Sequence, residues 1–210
     1  EKGLAIAQAQ KNRDAGWQDS QSEMKMVLRA ANGNENIRLI QIKSLEVQGD
    51  GDKNLMVFNE PRDVQGTAFL SYSHIAGPDD QWIYLPALKR VKRIASRTKA
   101  GSFMGSEFSY EDLASFEVEK FTYKFLRDEP CGEHTCHVLE SHPKDEHSGY
   151  SRQVSWIEHK DFRVHKIEFY DKKKAHLKTM TVKKYDLVEE KFWRPTHSVM
   201  VNHQTGNATE

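Results

Sequence analysis

The sequence predicts a mainly β domain, an antiparallel meander of about ten or eleven strands with few helices. Three observations lead there. Short runs of alternating apolar and polar residues recur along almost the whole chain. Turn signals rich in Gly, Asn and Asp separate them at short intervals. Only the Ala- and Gln-rich opening stretch carries a helical pattern. At 210 residues a single domain over 1–210 suffices, and no linker, fixed-period repeat or low-complexity tract divides it.

Taken in order, residues 4–15 read as an amphipathic helix stopped at Gly16. Residues 23–29 and 37–47 form a hairpin around Asn32-Gly33-Asn34. Asp50-Gly51-Asp52 turns into a strand over 53–59, followed by strands over 68–75, 81–85 and 89–94. The second half has longer strands over 117–127, 136–141, 150–158, 163–170, 176–186 and 196–202. Residues 203–207 read as a turn that a further strand should follow, so the chain is expected to lack its last C-terminal residues.

One segment breaks the rhythm. Residues 96–115 carry Gly101, Gly105 and five serines, with Ser109 placed to cap a short helix. Phe103, Met104, Phe108 and Leu113 are too apolar to stand exposed without cause, and they are expected to form a lid. The alternative is that they plug the sheet as ordinary core.

Several strands are apolar on both faces. Ile37 and Leu39 alternate with Ile40 and Ile42, Trp82 and Tyr84 with Ile83 and Leu85, and Val154 and Trp156 are followed by Ile157. A curved sheet with a helix in its concavity covers both faces and can enclose an apolar ligand. Trp82, Tyr84, Phe121, Tyr123, Phe125 and Trp156 are the expected cavity wall. The alternative is that these aromatics pack together as core.

Composition excludes several classes. Lys plus Arg (31) equals Asp plus Glu (31), unlike a dedicated nucleic-acid binder. Mean hydropathy is −0.77, and no apolar run reaches the roughly 18 residues a spanning helix needs. Phosphate-binding, dinucleotide, nucleophile-elbow and zinc-protease motifs are missing, so a non-enzymatic protein without cofactor is expected. The ten histidines are scattered on alternating strands, where solvated side chains are the default. Lys89, Arg90, Lys92 and Arg93 form a basic run. It reads equally as a docking patch for anionic headgroups or an acidic partner, or as the charged guard of an edge strand.

Cys131 and Cys136 are the only cysteines. A disulfide across a tight loop, in an oxidising compartment, is the favoured reading. A zinc pair is the rival, with His134, His137 and His142 near, but a structural site needs a second ligand pair at defined spacing and the sequence offers none. No metal is therefore expected.

Trp82-Ile83-Tyr84-Leu85-Pro86-Ala87-Leu88-Lys89-Arg90-Val91-Lys92-Arg93-Ile94 and the segment Gly101-Ser102-Phe103-Met104-Gly105-Ser106-Glu107-Phe108-Ser109-Tyr110-Glu111-Asp112-Leu113, with Phe192-Trp193-Arg194-Pro195-Thr196, resemble the outer membrane lipoprotein-sorting protein family. These are relatives of the periplasmic lipoprotein carrier and its outer-membrane receptor. The resemblance implies an antiparallel half-barrel with helices across its open, concave side and an apolar cavity for acyl chains. It implies a periplasmic location in a Gram-negative bacterium, reached through a cleaved signal peptide. The expected partners are lipid or lipoprotein acyl chains, with no nucleic acid. The alternative is an accessory module docking a lipid-exporting inner-membrane transporter.

Overall fold

The computed structural model describes residues 1–210. Helix α1 (Lys2–Arg13) precedes β1 (Asp19–Arg29), β2 (Glu35–Leu45), β3 (Lys53–Glu60), β4 (Ala68–Tyr72), β5 (Asp80–Leu85) and β6 (Arg90–Ile94). After a long connection come β7 (Phe121–Cys131), β8 (His134–Pro143), β9 (Tyr150–Glu158), β10 (Val164–Asp171), β11 (His176–Val188), β12 (Phe192–Asn202) and β13 (Ala208–Thr209). All thirteen strands join one antiparallel sheet that does not close, the curved half-barrel expected. The strand count exceeds the ten or eleven expected. In place of several covering helices there is one α-helix plus 3₁₀ turns, among them Glu111–Leu113 and Val118–Lys120. Ser109 marks the first of these turns by a reciprocal pair: its N–H donates to Asp112 Oδ2 at 2.7 Å, and its hydroxyl accepts from Asp112 N at 3.3 Å.

The strand order explains the long loop. The sheet runs β6-β5-β4-β3-β2-β1-β13-β12-β11-β10-β9-β8-β7. The first and last strands meet at its centre, whereas β6 and β7, neighbours in sequence, are its two opposite edges. The connection over 95–120 must therefore cross the whole sheet, and it does so on the concave side. β13, the short strand beyond the 203–207 turn, is wedged between β1 and β12 with Thr209 opposite both Leu28 and Met200.

β1 and β2 pair without a break from Asp19↔Leu45 to Arg29↔Glu35. Elsewhere the register slips between Leu39 and Ile40, Phe125 and Arg127, Val164 and Lys166, and Val182 and Lys184. Such bulges bend a strand and raise its twist, which gives the sheet its curvature.

Helix α1 buries Gly3, Ile6 and Ala7, the i, i+3, i+4 stripe of one face. That face packs with Val118, Leu139 and Ile157. Gly3 permits the contact: a Cβ there would stand 3.0 Å from the Phe125 nitrogen and 3.1 Å from Leu139 Cδ1. The Cys131–Cys136 disulfide closes the β7–β8 hairpin as expected, with Cα atoms 5.8 Å apart. Lys89, Arg90, Lys92 and Arg93 are all exposed on or beside edge strand β6, where Arg93 pairs with Asp80 and the other three form no ion pair.

Candidate functional site

The concave face is divided. Over β1–β5 it is filled. Phe103, fully buried, inserts from the crossing loop into a cluster of Met26, Ile40, Met56, Phe58 and Phe69. Its ring lies 5.2 Å from Phe69 and 5.8 Å from both Phe58 and Tyr110. Met104 and Leu113 pack against the same cluster. Over β7–β12 the face is hollow: a cavity of about 770 Å³ lies between the sheet and the loop and reaches across to Ile75, Pro78, Gln81 and Ile94 at the other edge, within the roughly 300–1,000 Å³ typical of ligand sites.

The wall of this cavity is built by strand alternation. Phe121 and Tyr123 of β7, Leu139 of β8, Ile157 of β9, Ile167 and Phe169 of β10, Met180 of β11 and Met200 of β12 all point into it. Phe108 and Phe116 reach it from the loop. Charged residues gather on the same lining, and several are paired: Lys99 with Asp145 at 2.6 Å and Lys120 with Asp79. Tyr123 turns its hydroxyl to the Val118 carbonyl at 2.9 Å, and burial pushes that phenol well above its ordinary value.

The loop is fastened to both halves of the sheet. Gln81 Nε2 donates to the Tyr110 carbonyl at 2.9 Å, and Arg38 donates to the Met104 carbonyl. On the hollow side Lys178, buried, donates to the Glu107 carbonyl at 2.8 Å and to Asp112 at 2.5 Å. The Tyr150 hydroxyl donates to the other Asp112 oxygen at 2.6 Å. Burial, and then the Asp112 charge, drive the Tyr150 pKa well up, so it stays a donor. Asp112 is thus a lining carboxylate whose charge Lys178 answers inside the protein.

The expected wall residues divide by strand face. Phe121 and Tyr123 line the cavity. Phe125 lies under α1, with Lys2 Nζ 3.5 Å above its ring. Trp82 and Tyr84 stand on the convex face of β5: Trp82 packs edge-on against Tyr72 at 5.4 Å, while Gln81 and Ile83 point inward. Trp156 is also convex, donating to Glu129 and lying under Lys166 at 3.6 Å. In a strand apolar on both faces, residue size does not tell inside from outside. Of the four expected lid residues, only Phe108 reaches the cavity. Ile157, Ile167, Phe169, Met180 and Met200 were missed; their period-two spacing within β9–β12 is the signal that finds them once the inward face is known.

A family model described as that of an uncharacterized protein matches residues 50–210. None of the curated proteins matches. The chain is similar to the crystal structure of an outer membrane lipoprotein-sorting protein domain from Vibrio parahaemolyticus. The identity is 55% and the TM-score 0.97, over 99% of this chain and 88% of that one. A DUF1329 family protein from Desulfovibrio piger is 29% identical with a TM-score of 0.93, over 99% and 88% of the two chains. A LolA superfamily protein from Nitrosomonas europaea shares the fold at 20% identity and a TM-score of 0.77, over 99% and 89%. No helix is long and apolar enough to cross a membrane.

Proposed function

Because the chain belongs to the outer membrane lipoprotein-sorting protein family, we propose that it is a periplasmic carrier or acceptor that holds lipid or lipoprotein acyl chains. One observation carries this reading: half of a continuous concave face is left unfilled, apolar inside and bordered by charge. An acyl chain matches the wall, and a polar headgroup matches the charged lining. Burial of methylene groups supplies the affinity at about 0.8 kcal/mol each. Nothing in this role requires bond making, and the cavity is read as a store, not a reaction centre. The test is mass spectrometry of lipids extracted from protein purified natively from a Gram-negative periplasm. Acyl-bearing species near one per protein are expected, and a lipid-free protein that also fails to take up added lipid contradicts the proposal.

A second reading has its own support. β6 is an uncovered edge carrying unpaired Lys89, Arg90 and Lys92 beside Leu88 and Val91, 64% and 66% exposed. An edge strand of this kind can dock a partner by strand addition. As an accessory module for a lipid-exporting inner-membrane transporter, the protein would lose co-purification with that transporter when the three cations are reversed to Glu. A carrier acting alone would keep its lipid in the same variant.

A further inference from the structure

At one end of β8–β10, outside the lining of the cavity, a second polar centre surrounds a buried carboxylate. We propose that His134, Glu158 and His165 form a binding site for a divalent transition metal of the zinc type. His134 opens β8, Glu158 ends β9 and His165 lies at the start of β10, so three neighbouring strands deliver one donor each. One ligand atom from each residue lies within 4.8 Å of the other two. His165 Nε2 is 2.6 Å, and His134 Nε2 3.9 Å, from Glu158 Oε2. Zinc with bonds of about 2.0–2.2 Å sets tetrahedral donors about 3.3–3.6 Å apart, so side-chain rotation must open the His165 contact and close the His134 one. Two imidazoles and a carboxylate suit zinc, and the half-open His134 side leaves room for a water as fourth ligand.

The second observation is an orphan atom. Glu158 is completely buried, and its Oε1 has no hydrogen-bond partner. Buried carboxylate oxygens are almost always satisfied, so a missing partner points to a missing ligand. The Arg163 guanidinium forms an ion pair with Oε2 at 2.9 Å and lies 4.1 Å from the Trp193 ring, which fixes the carboxylate and leaves Oε1 as its free oxygen. Its charge opposes a cation and lowers the expected affinity. The ligand pair is invisible in the sequence because Glu158 and His165 meet His134 only through strand pairing.

Two neighbours could imitate this site. Asp128, His137 and His159 form another three-donor group, more exposed, with the two imidazoles stacked at 3.8 Å. The cysteine sulfurs lie within 4.8 Å of His165 and would become ligands if reduced. The test therefore uses the full chain with its disulfide intact, stripped with chelator and titrated with Zn²⁺ by calorimetry and with Co²⁺ by absorption. One saturable equivalent and tetrahedral Co²⁺ bands are expected. His134→Ala and His165→Ala should each weaken binding by at least about tenfold, and His137→Ala should leave it unchanged. His134 is exposed, so its variant remains informative even if the His165 variant folds poorly. No saturable binding overturns the proposal. So does binding lost in His137→Ala but kept in His134→Ala, or binding that appears only after a dithiol reduces the disulfide.

Discussion

The two halves of the concave face are made by the same strand chemistry and end differently. Over β1–β5 the crossing loop drops Phe103 into a ring of apolar side chains and the space is closed. Over β7–β12 the same loop sends Phe108 to the cavity wall and uses Asp112 to grip Lys178, leaving about 770 Å³ open. The difference lies in the strap. Where it inserts an aromatic, the face becomes core; where it inserts a charge, it bridges over the face instead of filling it. The strap exists because β6 and β7 are opposite edges of the sheet, so a cavity roof follows from topology.

The largest expected effect breaks the filled half. Phe103→Ala should cost about 4 kcal/mol in chemical denaturation, the loss of a fully buried phenylalanine plus its cavity. Phe108→Ala should cost far less and instead change the rate of lipid exchange. Equal stability losses in the two variants would erase the distinction between plug and wall.

Lys178→Met should follow at about 3 kcal/mol, because it leaves Asp112 buried without its cation. Its loss should also loosen the roof, seen as faster amide exchange over residues 107–113. Reduction of the Cys131–Cys136 disulfide should cost about 2 kcal/mol, since it closes a very short loop. Thiol counting on the unreduced, unfolded chain should find none.

The smallest effect is a pH dependence centred on His74. His74 lies between Asp50, at 2.7 Å, and Asp80, at 3.1 Å, tying the β2–β3 turn to β5. Its hydrogen bonds to Asp50 and then Asp80 raise its pKa above 6.5. The folded state therefore favours the proton. The stabilisation is complete below pH 6.5 and is lost as pH rises through the raised value. The partner works in the opposite sense: His74 and the Ile75 N–H hold Asp50 at about 2, so its contribution is present above 3.8 and is lost as pH falls through about 2. Melting curves across pH should show His74→Gln flattening the alkaline limb. An unchanged limb would assign it to other groups.

The fold was largely legible because antiparallel strands announce themselves by alternation and by turn residues, and Lys53 to Glu60 or Tyr150 to Glu158 could hardly be read otherwise. The resemblance over Trp82 to Ile94 and Gly101 to Leu113 supplied the curvature and the family. The cavity was legible only in part. Phe121 and Tyr123 were found because β7 is apolar on one face alone. Trp82 was assigned inward because β5 is apolar on both, and nothing in the chain says that Gln81, buried and bonded to the Tyr110 carbonyl, is the inward residue. The strand expected after the 203–207 turn is β13, only Ala208–Thr209 and too short to carry a pattern of its own. Met180 and Met200 become neighbours only by pairing across β11 and β12.

The central claim is that the hollow half receives an acyl chain. Met180 lies on its wall in mid-strand, and Met180→Trp should push an indole into the path of an acyl chain without touching the Phe103 cluster. The direct measurement is titration of delipidated wild type and Met180→Trp with a fluorescent fatty acid, beside their melting curves. Saturable micromolar binding by wild type, lost by at least about tenfold in a variant that melts within a few degrees of it, is the predicted result. Equally strong binding by Met180→Trp, or no binding by the wild type, would contradict the account.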